Sequence, residues 1–288
     1  MRTELRQART IRAALDAATA ELMGHSGAPR LDAQLILAHL LEQRREYLIA
    51  HDEVALSAEQ AIAYAKLIAL RRRGMPTAYI LGRRAFFDRD LVVTPHVLIP
   101  RPETELIVER ALAWIHAQGR QNDPRLRIVD VGTGSGAIAV ALAGRLPAAR
   151  ILATDISSAA LQVAQINGRA FPNLGYVQCD LLSGIGGRFA VICANLPYIA
   201  TAALDVLEVA KFEPAIALDG GSDGLALIRR LLQQAPSRLA KPGLLLLEVG
   251  ADQGAAALTA AQEAFGQAAQ ISIHQDQAGL DRVLQVLC

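Results

Sequence analysis

From Leu31 to Ala50 the run LDAQLILAHLLEQRREYLIA keeps its apolar residues on one side of a 3.6-residue period. Arg44 and Arg45 fall on the polar side, and the pattern predicts one continuous amphipathic helix. Upstream, Leu5, Ile11, Leu15 and Leu22 form a similar stripe. Ser57 followed by Gln60 has the spacing of a capping box and predicts a third helix reaching Arg73, stopped by Gly74 and Met75-Pro76. Residues 1–74 therefore read as a small helical bundle. The pattern changes over 79–100, YILGRRAFFDRDLVVTPHVLIP. Two β-prone runs, Phe86-Phe87 and Leu91-Val92-Val93, flank Asp88-Arg89-Asp90, which predicts a β-hairpin. Pro95, Pro100 and Pro102 stiffen its exit, so residues 75–101 read as a linker between two domains.

From residue 102 to 288 apolar runs alternate with helical ones. RIVDVG, RILATD, LGYVQCD, FAVICAN and GLLLLEVG read as strands, with helical stretches such as GAIAVALAGRLP and SAALQVAQINGRA among them. That alternation predicts an α/β domain with a doubly wound, mostly parallel sheet. The last two runs, AQISIHQ and DRVLQVLC, have only a short turn between them. A parallel crossover needs a dozen residues or more, so these two must close the seven-stranded sheet as an antiparallel hairpin.

The bulk numbers narrow the class. With 288 residues, 52% of them apolar, the chain can bury a large core, and its formal net charge of +1 gives no general attraction for nucleic acid or an anionic membrane. The 3 cysteines (Cys179, Cys193, Cys288) form no framework and the 6 histidines no ligand spacing. Free thiols in a reducing compartment and no metal are expected. No run is long and apolar enough to span a bilayer, and charges interrupt the N-terminal segment, so a soluble cytoplasmic protein is expected.

Chemistry gathers in two loops. IVDVGTGSG sets Gly132, Thr133, Gly134, Ser135 and Gly136 between the first strand of the α/β region and its helix. Such a loop brings backbone close to a ligand at a helix N-terminus. The spacing is GxGxG, not the GxGxxG of dinucleotide folds. Asp155, ending the next strand, is placed to accept hydrogen bonds from ribose hydroxyls, or else to cap the helix that Ser157 could cap. A ribose occurs in both NAD and S-adenosyl-L-methionine, so these residues leave the choice open. Asp180 could receive an adenine amino group, with Leu181 against the ring, or could be a solvated turn carboxylate. After the fourth strand comes CANLPYIA. Asn195, Leu196, Pro197 and Tyr198 share a crevice with the glycine loop if the first and fourth strands are neighbours at a switch point.

Asn195-Leu196-Pro197-Tyr198 together with DVGTGSG resembles the methyltransferases of planar nitrogens that carry an (Asn/Asp)-Pro-Pro-Tyr motif. GMPTAYILGRRAFF, LIPRPETELIVE, FEPAIALDGGSDGLALIRRLL and the terminal AGLDRVL resemble the HemK/PrmC family of release factor glutamine methyltransferases. RPETE at Arg101–Glu105 separates this branch from the ribosomal-protein glutamine methyltransferases, which have serine after the arginine. The resemblance implies a Rossmann-like S-adenosylmethionine-dependent methyltransferase fold preceded by the helical bundle and hairpin. It implies S-adenosyl-L-methionine along Gly132–Gly136, Asp155, Asp180, Leu181 and Asn195. It further implies methyl transfer to the glutamine of the Gly-Gly-Gln loop of peptide chain release factors, the helical region docking that partner. Asn195 Oδ1 and the Leu196 carbonyl would accept the two amide hydrogens. Pro197 would hold Leu196 extended, and Tyr198 would pack on the flat amide. Leu196 stands where the family has proline, which keeps the carbonyl and loosens the backbone. Competing readings are an adenine amino-methyltransferase on DNA or RNA, a ribosomal-protein glutamine methyltransferase, and a non-catalytic nucleotide-binding module. A monomer that does not bind nucleic acid directly is expected.

Overall fold

Thr10 caps the first helix, its hydroxyl accepting from the Ala13 amide at 3.3 Å. The structure is a computed structural model that describes residues 10–288. Leu5, expected on the first apolar stripe, lies outside the described residues. The chain divides into two compact units, the first ending at Arg83 and the second beginning at Arg84.

The first unit holds α1 (Ile11–Leu22), α2 (Pro29–Leu40), α3 (Arg45–Ala50), α4 (Ala58–Arg72) and α5 (Thr77–Leu81). Ile11, Leu15 and Leu22 bury against Ile36, Leu37, Leu48, Tyr64 and Ile68. Both halves of the Ser57–Gln60 capping box are made. The single helix expected over Leu31–Ala50 is in fact two. Glu42 turns left-handed at φ 53°, and the Gln43 amide donates back to the Ala38 carbonyl at 2.9 Å. Glu42-Gln43-Arg44-Arg45 offers no apolar side chain to hold a continuous helix on the core, and the turn re-aims Leu48 inward. The sequence reading did not foresee α5. It is tied to the bundle by the buried Asp32 carboxylate, which accepts from Ser26 Oγ (2.6 Å), Thr77 Oγ1 (2.7 Å) and Arg71 Nε (2.6 Å). Burial alone would raise the Asp32 carboxyl; those donors and the Arg71 charge outweigh it and hold it below the usual range.

The hairpin is β1 (Arg83–Phe86) and β2 (Arg89–Val92). Its turn falls at Phe87-Asp88, with Phe87 at φ 55°, rather than at Asp88-Arg89-Asp90. Phe86 and Leu91 bury in the core of the second unit, and the Asn167 amide clamps β2, donating to the Val92 carbonyl (2.9 Å) and accepting from its amide (2.7 Å).

The rest of the second unit runs α6 (Glu105–Ala117), β3 (Arg127–Val131), α7 (Ala137–Arg145), β4 (Arg150–Asp155), α8 (Ser158–Gly168), β5 (Leu174–Gln178), β6 (Phe189–Ala194), α9 (Thr201–Leu204), α10 (Ala226–Arg238), β7 (Leu239–Glu248), α11 (Gly254–Phe265), β8 (Gln270–Gln275) and β9 (Asp281–Leu287). The strands form one 7-stranded sheet in the order β5-β4-β3-β6-β7-β9-β8. β3 to β7 are parallel, and β9 runs antiparallel to both β7 and β8. Apolar clusters cover both faces, which explains why the β6 residues FAVICA are all buried. β3 pairs with β4 on one side and β6 on the other, so the strand order reverses there. The carboxyl ends of β3 and β6 therefore open into a crevice.

Candidate active site

The glycine loop between β3 and α7 is shaped from beneath. Gly132 takes φ 70°, and a Cβ there would stand 2.8 Å from Leu196 Cδ2. Gly136 takes φ 83°, and a Cβ there would meet Ala164 Cβ of α8 at 3.1 Å. Around Gly134 the corresponding space is open. The Thr133 amide donates to the Thr154 carbonyl at 2.9 Å. Asp130, within the buried part of β3, braces the loop: its Oδ2 accepts from Thr133 Oγ1 at 2.6 Å and from the Ala139 amide at 3.2 Å. Its Oδ1 is buried with no hydrogen-bond partner. Burial pushes the Asp130 carboxyl up to about 7; Thr133 and Ala139 oppose that, while the Asp155 charge adds to it.

Asp155 closes β4 and accepts one backbone amide on each oxygen, Gly134 on Oδ2 and Ser157 on Oδ1, both at 2.9 Å. Ser157 caps α8 through the Ala160 amide at 3.2 Å, so Asp155 is not needed as the cap. Burial raises the Asp155 carboxyl despite these backbone donors. Asp180 forms an ion pair with Arg230 of α10. Leu181 is buried at φ 52°, and its carbonyl lies 3.4 Å from Thr154 Oγ1.

Asn195 follows β6. Its Nδ2 donates to Thr104 Oγ1 at 3.0 Å. Thr104 in turn donates to Glu248 Oε2 at 2.6 Å, and the Tyr198 hydroxyl donates to Glu248 Oε1 at 3.3 Å. The Tyr198 carbonyl accepts from Gln253 Nε2 at 2.8 Å. Burial, with the Glu248 charge, pushes the Tyr198 hydroxyl up to about 12. A second buried carboxylate, Glu213, holds the preceding segment by accepting from the Ile99 amide at 2.9 Å and from Arg101.

These loops enclose a cleft of about 210 Å³. Its wall takes Gly132, Thr133, Gly134 and Ser135 together with Asp155, Asp180, Leu181, Asn195, Leu196 and Pro197. Two residues chosen from the sequence are not on the wall. Gly136 lies against α8, where it permits close helix packing, and Tyr198 is turned to Glu248. Polar residues that the sequence reading passed over are drawn in as well, among them Thr104 and Arg230 on the wall and the buried Asp130, Glu213 and Glu248 behind it. The available signals were a carboxylate inside IVDV, another ending LLLLE, and the threonine of RPETE. Among the described residues no group of three or more His, Cys, Asp or Glu could hold a metal ion.

The donor set fits a nucleoside carrying adjacent hydroxyls. The Asp155 oxygens accept from the Gly134 and Ser157 amides, with the Ile156 amide also directed at the carboxylate, and keep capacity for a hydroxyl donor. Ile138, Ala160 and Leu181 supply apolar wall, and the open face of Gly134 admits a ligand close to backbone. These are features S-adenosyl-L-methionine would use.

Residues 13–82 match the PrmC N-terminal domain family, and residues 117–212 match the methyltransferase small domain family. A release factor glutamine methyltransferase of Moorella thermoacetica is 42% identical over 281 residues, covering 95% of this chain and 96% of that protein. One from Bordetella pertussis is 39% identical over 270 residues, covering 91% and 96%. Among solved structures, the hMettl16 catalytic domain in complex with the MAT2A 3′UTR hairpin 6 superposes with TM-score 0.53 at 14% identity, covering 78% of this chain and 80% of that one. That likeness concerns the fold.

Proposed function

This chain belongs to the family of release factor glutamine methyltransferases, and we propose from that premise that it methylates the side-chain amide nitrogen of the glutamine in the Gly-Gly-Gln loop of peptide chain release factors. The observation that carries the residue assignment is one cleft walled by both the glycine loop and Asn195-Leu196-Pro197. Gly132–Ser135, Asp155 and Leu181 would hold S-adenosyl-L-methionine, Asp155 as acceptor for the ribose hydroxyls and Asp180, paired with Arg230, as acceptor for the adenine amino group. When bound, that molecule supplies an electrophilic methyl group on a sulfonium sulfur. A glutamine amide nitrogen is a weak nucleophile because its lone pair is delocalised into the carbonyl. Asn195 Oδ1 accepts one of its hydrogens and the Leu196 carbonyl the other, which turns the nitrogen lone pair toward the methyl carbon. Alignment of this kind is the main lever where no strong base acts. S-adenosyl-L-methionine would give up its methyl group with the sulfur keeping the bonding electron pair, and the amide nitrogen, once methylated, would shed one proton to water. Tyr198, anchored on Glu248, and Pro197 hold the shape of the Asn195–Leu196 turn. The test is Asn195→Ala. Cofactor binding, read by calorimetry, should persist while the methyl gain on the release factor glutamine, read by mass spectrometry, falls at least about 100-fold. Turnover within a few-fold of the parent would rule out Asn195 as the amide acceptor.

The first unit, up to Arg83, acts in this reading as the docking domain for the release factor. The cleft admits a single side chain and its neighbours, whereas a stable protein interface needs about 800 Å² per partner. A chain beginning at Arg84 should still methylate a short Gly-Gly-Gln peptide but lose at least about tenfold on the intact factor, or 1.4 kcal/mol of docking. Equal activity on the intact factor would remove the docking role. A cytoplasmic location agrees with three free cysteines and, among the described residues, no helix long and apolar enough to cross a membrane.

A further inference from the structure

Glu248 is 1% exposed at the end of β7, an odd place for a carboxylate. Its two oxygens serve two hydroxyls, Thr104 on Oε2 and Tyr198 on Oε1. A hydroxyl carries one hydrogen, and an ionised carboxylate only accepts. The Thr104 hydrogen is therefore committed to Glu248, and toward Asn195 the Thr104 oxygen can only accept. The atom of Asn195 at 3.0 Å from it must be Nδ2, which turns Oδ1 the other way. Thr104 stands at the N-terminus of α6, where a threonine hydroxyl ordinarily caps backbone amides, yet it makes no capping bond. Its hydroxyl bonds to Glu248 and Asn195 instead.

We propose that Glu248 and Thr104 are positioning residues that fix which way round the Asn195 amide faces, so that the cleft meets its oxygen and not its NH2. The proposal rests on the reading of Asn195 as acceptor of the substrate amide hydrogen. With the amide reversed, two hydrogens of Asn195 would face the hydrogens of the substrate amide. One carboxylate also fixes both ends of the Asn195–Tyr198 turn, since Tyr198 hangs from its other oxygen. Burial raises the Glu248 carboxyl and Glu103 adds to it, while Thr104, Arg282 of β9 and Tyr198 oppose that and favour the charged form on which this ordering rests.

The experiment compares Thr104→Val, which keeps the shape and deletes the hydroxyl, with Thr104→Ser, which keeps the hydroxyl. Steady-state kinetics on the intact release factor are paired with calorimetry of S-adenosyl-L-methionine. Thr104→Val should lower kcat at least about tenfold with cofactor Kd within about twofold, and Thr104→Ser should keep kcat within about threefold. If Thr104→Val does not fold, Glu248→Gln takes its place: it presents an NH2 to one hydroxyl and should lower kcat with cofactor Kd unchanged. Parental kcat in either variant, a serine variant as poor as the valine one, or cofactor affinity falling in step with kcat would overturn the proposal. Asn195→Ala separates the two layers. If it stays active the acceptor reading itself fails; if it is inactive while Thr104→Val is active, only the positioning relay fails.

Discussion

The glycine loop and the Asn195 turn wall the same cleft but are held by different physics. The loop is set by backbone: positive φ at Gly132 and Gly136, close approach of Leu196 and Ala164, and amides answered by Thr154 and Asp155. The turn is set by side chains that lie far off in the chain, with Asn195 and Thr104 91 residues apart and Thr104 and Glu248 144 apart. A binding surface made of backbone tolerates small motion. A group that must present an oxygen rather than an NH2 needs its neighbours' hydrogens assigned, and that takes buried, charged hydrogen bonding.

If this division is real, damage to each side should show up in a different measurement. Asn195→Ala, the largest expected effect, should strike turnover and spare cofactor affinity. Asp155→Ala should show the reverse emphasis. Losing the hydrogen bonds of a charged acceptor costs about 1–3 kcal/mol, which is a 5- to 150-fold weaker cofactor Kd at roughly 1.4 kcal/mol per decade. Calorimetry gives that Kd directly, and kcat at saturating cofactor should change much less. Unchanged affinity in Asp155→Ala would take the ribose away from Asp155. An equal fall in kcat at saturation would dissolve the distinction between the two sides.

The same contrast explains what could be read from the sequence. The glycine spacing and the acid ending β4 are local signals, and strand alternation fixed their place in the sheet. Asn195 was legible for the same reason, as a polar residue closing an apolar strand. What aims Asn195 was not, because no local pattern links Thr104 or Glu248 to it; only the paired positions of β6 and β7 and the entry of α6 bring them together. The split of the Leu31–Ala50 helix was hidden for a related reason. Periodicity shows which residues face inward, and Leu48 does, but it does not show that the chain turns at Glu42 to put it there.

The smallest effect on activity is expected beneath the loop, at Asp130. Asp130 is absent from the cleft wall, so Asp130→Asn should leave kcat within a few-fold of the parent. Its signature is in stability. The folded carboxyl is raised from 3.8 to about 7, chiefly by burial. A raised carboxyl makes its stabilising contribution in full below the unfolded value of 3.8, loses it as pH climbs to about 7, and is level above. At roughly 1.4 kcal/mol per unit, the ceiling on that loss is about 4 kcal/mol. Asparagine keeps an oxygen for Thr133 and Ala139 but places an NH2 where Oδ1 has no partner, a fixed penalty of about 1–3 kcal/mol that does not vary with pH. Asp155 and Glu248 are also raised, and they slope the curves of parent and variant alike. The informative quantity is therefore the difference between the two denaturation curves. The stability of Asp130→Asn relative to the parent should rise between pH 4 and 7, measured by urea midpoint at each pH, and stay constant above. A difference that is flat across that range would mean Asp130 is ionised in the folded protein at its ordinary value, with its buried Oδ1 finding a partner in solution.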